Sequence, residues 1–178
     1  LSQEAYYFLG GILKHIKGMT LILNPLVNSY KRLMPGYEAP THIAWSGRNR
    51  TPLIRIPATR GEETRIELRS PDPACNPYLA LAICLAAGLD GIKNKIVPPD
   101  AMEGNMHLLT PEELEERGIE SLPKNLQEAV EEFEKDPLMK EVLGEEVCGK
   151  YSMAKKKEWE DYNATVSQWE IDSYLLRI

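Results

Sequence analysis

The sequence predicts an α+β domain in which a few short strands lie between an amphipathic N-terminal helix and a C-terminal helical region. Three observations support this prediction. Apolar residues recur at helical spacing over residues 1–17, three short strand-like segments lie between residues 42 and 70, and helix start signals recur from residue 76 onwards. The 178 residues are enough for one domain with a sizeable core, since a domain holds roughly 100 to 200 residues.

The first element is predicted to be a helix over residues 1–17 that ends at Gly18. Asn24-Pro25 and Pro35-Gly36 then bracket a segment, 27–33, that can hold one or two helical turns before a loop. The helical spacing of the first element is carried by seven apolar positions: Leu1, Ala5, Phe8, Leu9, Ile12, Leu13 and Ile16.

Three short strands are predicted next, at residues 42–46, 53–57 and 64–70. The turn formed by Pro71-Asp72-Pro73 ends this part of the chain. Because side chains alternate between the two faces of a sheet, each strand can bury one face and present polar groups on the other.

A second long helix is predicted to start at Asn76, which is a good N-cap, with Pro77 at the first helical position, and to run toward Asn94. Its apolar run, residues 78–89, is 12 residues long. A helix needs roughly 18 to 20 apolar residues to cross a bilayer, so this run predicts a buried helix and no membrane association.

Beyond Pro98-Pro99 the sequence becomes acidic and is predicted to be helical and exposed. Thr110 and Ser167 each begin a capping box, and Asp136-Pro137 combines an N-cap with a first-turn proline. Residues 111–178 are therefore predicted to form a set of helices.

The charge is unevenly distributed along the chain. The net charge is −6, from 21 Lys and Arg against 27 Asp and Glu. Residues 31–69 hold eight basic and four acidic residues, whereas residues 70–178 hold 11 basic and 22 acidic residues. Seven of those eight basic residues are Arg, which binds phosphate and carboxylate groups through paired hydrogen bonds. A pI of about 5.2 argues against nucleic acid, so small anionic ligands are the predicted partners.

The remaining reactive residues give weak signals. Cys75, Cys84 and Cys148 show no metal-ligand spacing, so a cytoplasmic location fits best, and His15 and His42 are interpreted as structural or exposed. The N-terminus lacks the pattern of a signal peptide. Because the chain opens without Met inside an amphipathic pattern, a fragment of a longer protein is expected.

Chemistry is predicted at the strand 64–70, where alternation puts Arg65, Glu67 and Arg69 on one face. One interpretation is a surface ladder of ion pairs, which contributes little to stability. The other is a metal-phosphate site, in which the arginines lower the pKa of Glu67 and keep it an anionic ligand for Mg²⁺ or Mn²⁺. The excess of arginine favours the second interpretation. The neighbouring arginines are Arg48, Arg50, Arg55 and Arg60.

These residues belong to an ordered series of motifs that closely resembles type I (prokaryotic) glutamine synthetase, most strongly from residue 20 to 97. His107 stands where the adenylylated branch has its regulatory tyrosine, so the similarity points to the non-adenylylated branch of Gram-positive bacteria and archaea. The motifs are Asn24-Pro25, 28–33, 35–40, Arg48-Asn49-Arg50, 54–57, 65–69, 71–73, 76–80 and 88–95.

The resemblance implies that residues 1–178 are the C-terminal portion of the catalytic domain. Residues 1–97 would hold its antiparallel active-site strands and core helices, and residues 98–178 an acidic helical region. The family's N-terminal β-grasp domain, and the segments that supply most metal ligands, are absent from these residues.

The implied activity is ATP-dependent ligation of ammonia to L-glutamate through γ-glutamyl phosphate. By motif position Glu67 would be a metal ligand, and Arg50, Arg55 and Arg65 would bind ATP. Phosphoryl transfer depends mainly on electrostatic stabilisation, which arginines and divalent metals supply.

The glutamate substrate would be bound by Arg32, Glu38, Arg50 and Arg69, of which Glu38 and Arg50 would be catalytic. Glu38 lies on a loop flanked by Pro and Gly, where it would help to bind ammonium and exclude water.

The resemblance also implies a cytoplasmic dodecamer of two hexameric rings, with C-terminal segments that reach the facing ring and possible regulatory proteins as partners. Two alternatives remain open. The first is a γ-glutamyl-polyamine synthetase, against which Glu38 argues, and the second is a non-catalytic assembly or regulatory module. We expect the 178 residues to be inactive alone, because one glutamate cannot hold two metals.

Overall fold

The structure is a computed structural model that describes residues 1–36, 38–47, 51–102, 104 and 109–177. Helix α1 spans Gln3–Leu23 and begins at Ser2, whose side chain accepts a hydrogen bond from the Ala5 N–H. The prediction that this helix ends at Gly18 is wrong. A Cβ at Gly18 would lie 2.7 Å from Cβ of Asp136, so this glycine allows a close tertiary contact rather than a helix stop.

Helices α2 (Val27–Arg32) and α3 (Pro77–Lys93) agree with the prediction. The Asn76 side chain accepts hydrogen bonds from the first N–H groups of α3, and Asn94 is its C-cap. Helix α3 packs directly on α1, and the contact is so close that a Cβ on Gly11 would lie 2.1 Å from the Ala87 carbonyl oxygen.

The sheet has three strands in the order β1 (Trp45–Ser46), β2 (Ile54–Arg55) and β3 (Glu67–Leu68). Strands β2 and β3 pair antiparallel, as expected, but β1 and β2 pair parallel. Alternating side chains are common to both arrangements, so only the path of the connection decides strand direction. Each strand is shorter than its predicted segment, and a 3-10 turn at Gly61–Glu63 precedes β3.

The C-terminal region is helical, as predicted, but the prediction that it is exposed is wrong for parts of it. Thr110 and Ser167 form their capping boxes, and the Asp136 side chain accepts a hydrogen bond from the Leu138 N–H at the start of its helix. The helices are α4 (Pro111–Glu116), α5 (Leu126–Lys135), α6 (Pro137–Leu143), α7 (Glu145–Ala164) and α8 (Gln168–Tyr174), followed by a 3-10 turn at Leu175–Arg177. Val130 and Phe133 of α5 and Met139 of α6 are buried in the core.

One apolar core joins the two parts of the chain, with α1 at its centre between α3 and α5. Its fully buried side chains include Leu9, Ile16, Met19, Ile83 and Phe133. The α+β class is therefore confirmed. In the part of the chain that the structure describes, no helix is long and apolar enough to span a membrane.

The prediction that α3 is buried is wrong for one of its faces. Tyr78, Leu81, Leu85 and Leu89 are 84%, 71%, 57% and 51% exposed. Their spacing of three and four residues places them in a single stripe along the helix. We call these four residues the α3 stripe.

Candidate active site

Strands β2 and β3 place one carboxylate between two guanidinium groups. Arg55 lies opposite Glu67 in the antiparallel register, and its Nη1 donates to Glu67 Oε2 at 3.1 Å. Arg65 donates to Glu67 Oε1 from Nε at 2.9 Å and lies 2.7 Å away through Nη2. The contact between Arg65 and Glu67 agrees with their predicted place on one face of the strand.

Two opposing influences set the pKa of Glu67. Partial removal from water raises it, but the hydrogen bond and charge of Arg65, followed by those of Arg55, outweigh that effect and hold the pKa below its ordinary value of 4.5. The side chain of Glu67 is therefore an anion at neutral pH.

The described residues do not form a metal site by themselves. In the described ranges there is no group of three or more His, Cys, Asp or Glu side chains placed to hold a metal ion. Both oxygens of Glu67 already bind arginines, and hard divalent cations take about six oxygen ligands. Glu67 can supply one ligand, and other protein ligands would have to come from outside the described part of this chain.

Arg69 connects the loop that carries Glu38 to the sheet. Its Nη2 donates to the carbonyl oxygen of Glu38 at 3.1 Å, and its Nη1 donates to that of Pro52 at 3.3 Å. The backbone N–H of Arg69 donates to the Leu53 carbonyl at 3.0 Å. One arginine at the end of β3 therefore contacts two separate loops.

Arg32 contacts two buried polar residues, Asn24 and Ser70, whose burial the sequence did not predict. Its Nη2 donates to the Ser70 carbonyl and, at 3.4 Å, to Asn24 Oδ1. Asn24 is fully buried and Ser70 is 1% exposed, although the sequence marks Asn24 only as part of a turn and motif and Ser70 only as the end of a strand. Three buried atoms of these residues have no hydrogen-bond partner among the described residues, which suits an additional polar group at this position: Asn24 Nδ2, Arg32 Nε and Ser70 Oγ.

The structure thus brings most of the predicted residues to the two ends of β3. Arg55, Arg65 and Glu67 form one cluster, while Arg32 and the Glu38 backbone bind the consecutive residues Ser70 and Arg69. Arg60 instead donates to carbonyls of its own loop, those of Pro57 and Thr59. Several predicted positions lie outside the described residues, namely residue 37 of the motif 35–40, Arg48, Asn49, Arg50 and His107.

A large cavity of about 820 Å³ lies elsewhere, between α2, α4, α5 and α7. Its lining is mainly apolar and includes Tyr30, Leu33, Leu122, Trp159 and Tyr162. None of the predicted site residues that the structure describes lines it. The charged cluster on the sheet, and not this cavity, carries the chemistry expected of an active site.

The C-terminal segment, α8 with the following 3-10 turn, exposes large apolar side chains. Trp169 and Tyr174 form an edge-to-face pair with ring centroids 5.6 Å apart, yet they are 65% and 52% exposed. Leu175 is also exposed.

Comparison with known proteins identifies relatives along almost the whole chain. Residues 1–174 match the family model described as glutamine synthetase, catalytic domain. The chain is 58% identical to a glutamine synthetase of Methanosarcina mazei and 55% identical to one of Clostridium saccharobutylicum, each over 175 residues, which is 98% of the chain. It spans only 39% and 40% of the length of these two relatives.

Solved structures agree with this result. A complex of GmaS with ADP superimposes with a TM-score of 0.85 at 40% sequence identity, covering 98% of this chain and 40% of that one. GmaS without ligand superimposes with a TM-score of 0.80, again at 40% identity, covering 98% of this chain and 39% of that one.

Proposed function

Because the chain belongs to the glutamine synthetase family, we propose that it supplies part of the active site of an ATP-dependent ligase that joins ammonia to L-glutamate. The observation that carries this proposal is the cluster of Arg55, Arg65 and Glu67, next to the Arg69 contact with the Glu38 loop. The cluster combines guanidinium groups that can bind phosphate with a carboxylate, that of Glu67, that can bind a metal cation.

The proposed reaction passes through γ-glutamyl phosphate, whose formation requires charge stabilisation more than covalent catalysis. Arg55 and Arg65 would neutralise phosphate oxygens of ATP, and Arg50 would act with them. Arg32 and Arg69 would orient the carboxylates of glutamate through their planar guanidinium groups. Arg32 is suited to this role because Asn24 and Ser70 fix its position from below.

Glu38 would bind ammonium and exclude water from the acyl phosphate. Glu38 is exposed, while the next residue, Ala39, is only 7% exposed. The acid therefore stands on a loop that is anchored immediately after it. This arrangement allows the Glu38 carboxylate to cover the site while its loop stays anchored.

Mg²⁺ or Mn²⁺ is the proposed cofactor, since divalent metals and ATP serve the family in general. Such an ion supplies charge neutralisation at phosphate oxygens. The part played by this chain is a single ionised carboxylate, Glu67, which its two arginine partners keep deprotonated. The remaining protein ligands are proposed to lie in the part of the relatives that this chain does not cover.

The active protein is proposed to be a dodecamer of two hexameric rings. Two features support assembly: the apolar C-terminal segment, and the cavity lined by Tyr30, Trp159 and Tyr162, which can receive apolar side chains of another subunit. The α3 stripe is proposed to be covered by the portion of the longer protein that this chain does not span.

The proposed function can be tested with a chimera in which this chain replaces the matching segment of the Methanosarcina mazei glutamine synthetase. We expect phosphate release that requires ATP, glutamate and ammonia together, and none from the 178 residues alone. Replacing ammonia with polyamines tests the alternative ligase. A correctly folded chimera without ammonia-dependent turnover, beside an active parent, would contradict the proposal.

A further inference from the structure

We propose that Arg69 is a positioning residue that latches the Glu38 loop, defined as residues 36 and 38–40, to the end of β3. The inference deepens the proposed function and depends on it for its consequence in catalysis. The latch itself rests only on contacts within this chain.

The contacts involve two different loops. Nη1 and Nη2 of Arg69 donate to the carbonyls of Pro52 and Glu38 at 3.3 and 3.1 Å, while the backbone N–H of Arg69 pairs with the Leu53 carbonyl. A guanidinium is planar and its donors diverge at fixed angles. Both carbonyls must therefore keep one relative arrangement as long as the guanidinium holds them.

Arg69 holds the Glu38 loop at the Glu38 carbonyl, between a turn and a buried residue. Gly36 has a φ of +92°, a conformation that favours glycine, so the chain turns sharply two residues before Glu38. Ala39, on the other side, is buried. Arg69 binds the carbonyl between these points and leaves the exposed carboxylate of Glu38 outside that contact.

The consequence is a coupling between two substrates. The guanidinium proposed to bind the glutamate substrate is the same group that holds the loop carrying the proposed ammonium-binding acid. Weakening the hydrogen bonds of the Arg69 guanidinium should therefore reduce the affinity for ammonium. A role limited to glutamate binding does not predict this effect.

Limited proteolysis of the full 178-residue chain tests the latch without requiring activity. A Glu-specific protease cuts after Glu38, and mass spectrometry can follow that peptide separately from cuts after Glu62 and Glu63. In Arg69→Gln, cleavage after Glu38 should accelerate roughly five- to tenfold, as expected when a partly exposed charge-assisted hydrogen bond is lost from a local opening equilibrium. Cleavage after Glu62 and Glu63 should remain at the wild-type rate.

Arg60→Gln is the matched control, because Arg60 donates to carbonyls of its own loop and not to Glu38. Arg69→Lys provides a second variant that retains a charge, and it should show an intermediate rate. Unchanged cleavage after Glu38 in both Arg69 variants would overturn the latch, as would equal acceleration in Arg60→Gln or acceleration at all sites in both Arg69 variants.

In the chimera, Arg69→Lys should raise KM for ammonium about fivefold at saturating glutamate while KM for ATP stays constant. An unchanged KM for ammonium would overturn the coupling. If the unmodified chimera is inactive, the proposed function fails, and the proteolysis result still decides whether the latch exists.

Discussion

Two consecutive residues at the end of β3 organise groups from different parts of the chain. Arg69 donates to the Glu38 carbonyl, and the Ser70 carbonyl accepts from Arg32. Asn24 supports Arg32 from within the core. Substitutions at this end of β3 should therefore affect several proposed substrate contacts together. The free-energy changes caused by single substitutions there should not be additive.

Glu38→Ala in the chimera should reduce turnover by about 10²-fold, the scale of a lost catalytic proton-transfer or cation-binding group. The dissociation constant of ATP should change little, because the proposed role of Glu38 is ammonium binding and closure. Steady-state kinetics and nucleotide titration provide the two measurements. Glu62→Ala, which removes an exposed acid of the 3-10 turn, is the control. A variant that loses ATP affinity but turns over normally would contradict the assignment.

At the scale of secondary-structure elements, His15 joins three helices. Its Nδ1 lies 2.8 Å from Asp136 at the start of α6, and its Nε2 lies 2.9 Å from Asp90 of α3. Since each ring nitrogen faces a carboxylate, both hydrogen bonds require the imidazolium form. Burial lowers the pKa of His15, but the bonds to Asp136 and Asp90 outweigh burial and the nearby charge of Lys14 and raise it above 6.5.

This contact predicts a defined pH dependence of stability. The folded pKa of His15 exceeds the unfolded value, so its contribution is fully present below about pH 6.5 and is lost as pH rises through the folded pKa. The hydrogen bond from His15 holds the pKa of Asp90 below 3.8, so the contribution of Asp90 is lost as pH falls through that lower value. The contact should stabilise most between about pH 4 and 6.5.

His15→Gln should lower the free energy of unfolding by about 2 kcal/mol at pH 6, because it removes charge-assisted hydrogen bonds, and by clearly less at pH 9. Urea unfolding of the chain at both pH values measures the difference. His42→Gln is the control, since His42 is only partly buried and bonds its neighbour Thr41. Equal destabilisation by His15→Gln at both pH values would show that the imidazolium is not required.

Two glycines in helices, one in the α1–α3 contact and one outside it, should respond in opposite ways to substitution by alanine. Gly11→Ala should destabilise the chain by about 2 kcal/mol or more, since the new Cβ would lie 2.1 Å from the Ala87 carbonyl oxygen. Gly149→Ala, in α7, should stabilise it by about 0.5–1 kcal/mol, because outside the neighbouring backbone of α7 no atom of the described residues lies within 4 Å of the new Cβ. Thermal unfolding compares the two variants, and little or no loss of stability in Gly11→Ala would mean that the contact between α1 and α3 is not rigid.

At the scale of the whole molecule, the α3 stripe exposes four large apolar side chains, which the rest of the longer protein is proposed to cover. A double substitution, Leu81→Asp with Leu85→Asp, should leave the unfolding free energy of the isolated chain within about 0.5 kcal/mol, because both side chains are exposed there. The same variant of the chimera should lose folding or activity. Wild-type activity in that variant would show that the stripe remains exposed in the longer protein.

The C-terminal segment predicts an effect on assembly. In the proposed dodecamer, deleting residues 167–178 from the chimera should weaken the association between rings and leave single rings. Each large apolar side chain that becomes buried contributes roughly 1.5–3 kcal/mol, partly offset by ordering. Sedimentation at decreasing protein concentration measures the change. An unchanged dodecamer at every concentration would place the segment on its own subunit instead.

The sequence alone was sufficient for features that depend on neighbouring residues. Asn76, Thr110 and Ser167 cap helices whose first N–H groups lie two or three positions away, so their local spacing is enough to predict them. The pairing of Arg65 with Glu67 is similarly local. The fold class and the family resemblance follow from such short local patterns, taken in their order along the chain.

Only the tertiary structure decided the features that join distant segments. His15 and Asp136 are 121 positions apart, and Arg32 meets Ser70 across 38 positions, so neither partner could be chosen from spacing. The local sequence around Gly18 is typical of a helix stop, but this glycine lies inside α1 and against Asp136. The apolar pattern of α3 does not indicate which face of the helix this chain buries. Local patterns specify what a residue can do, whereas its partner is selected by packing of the whole chain.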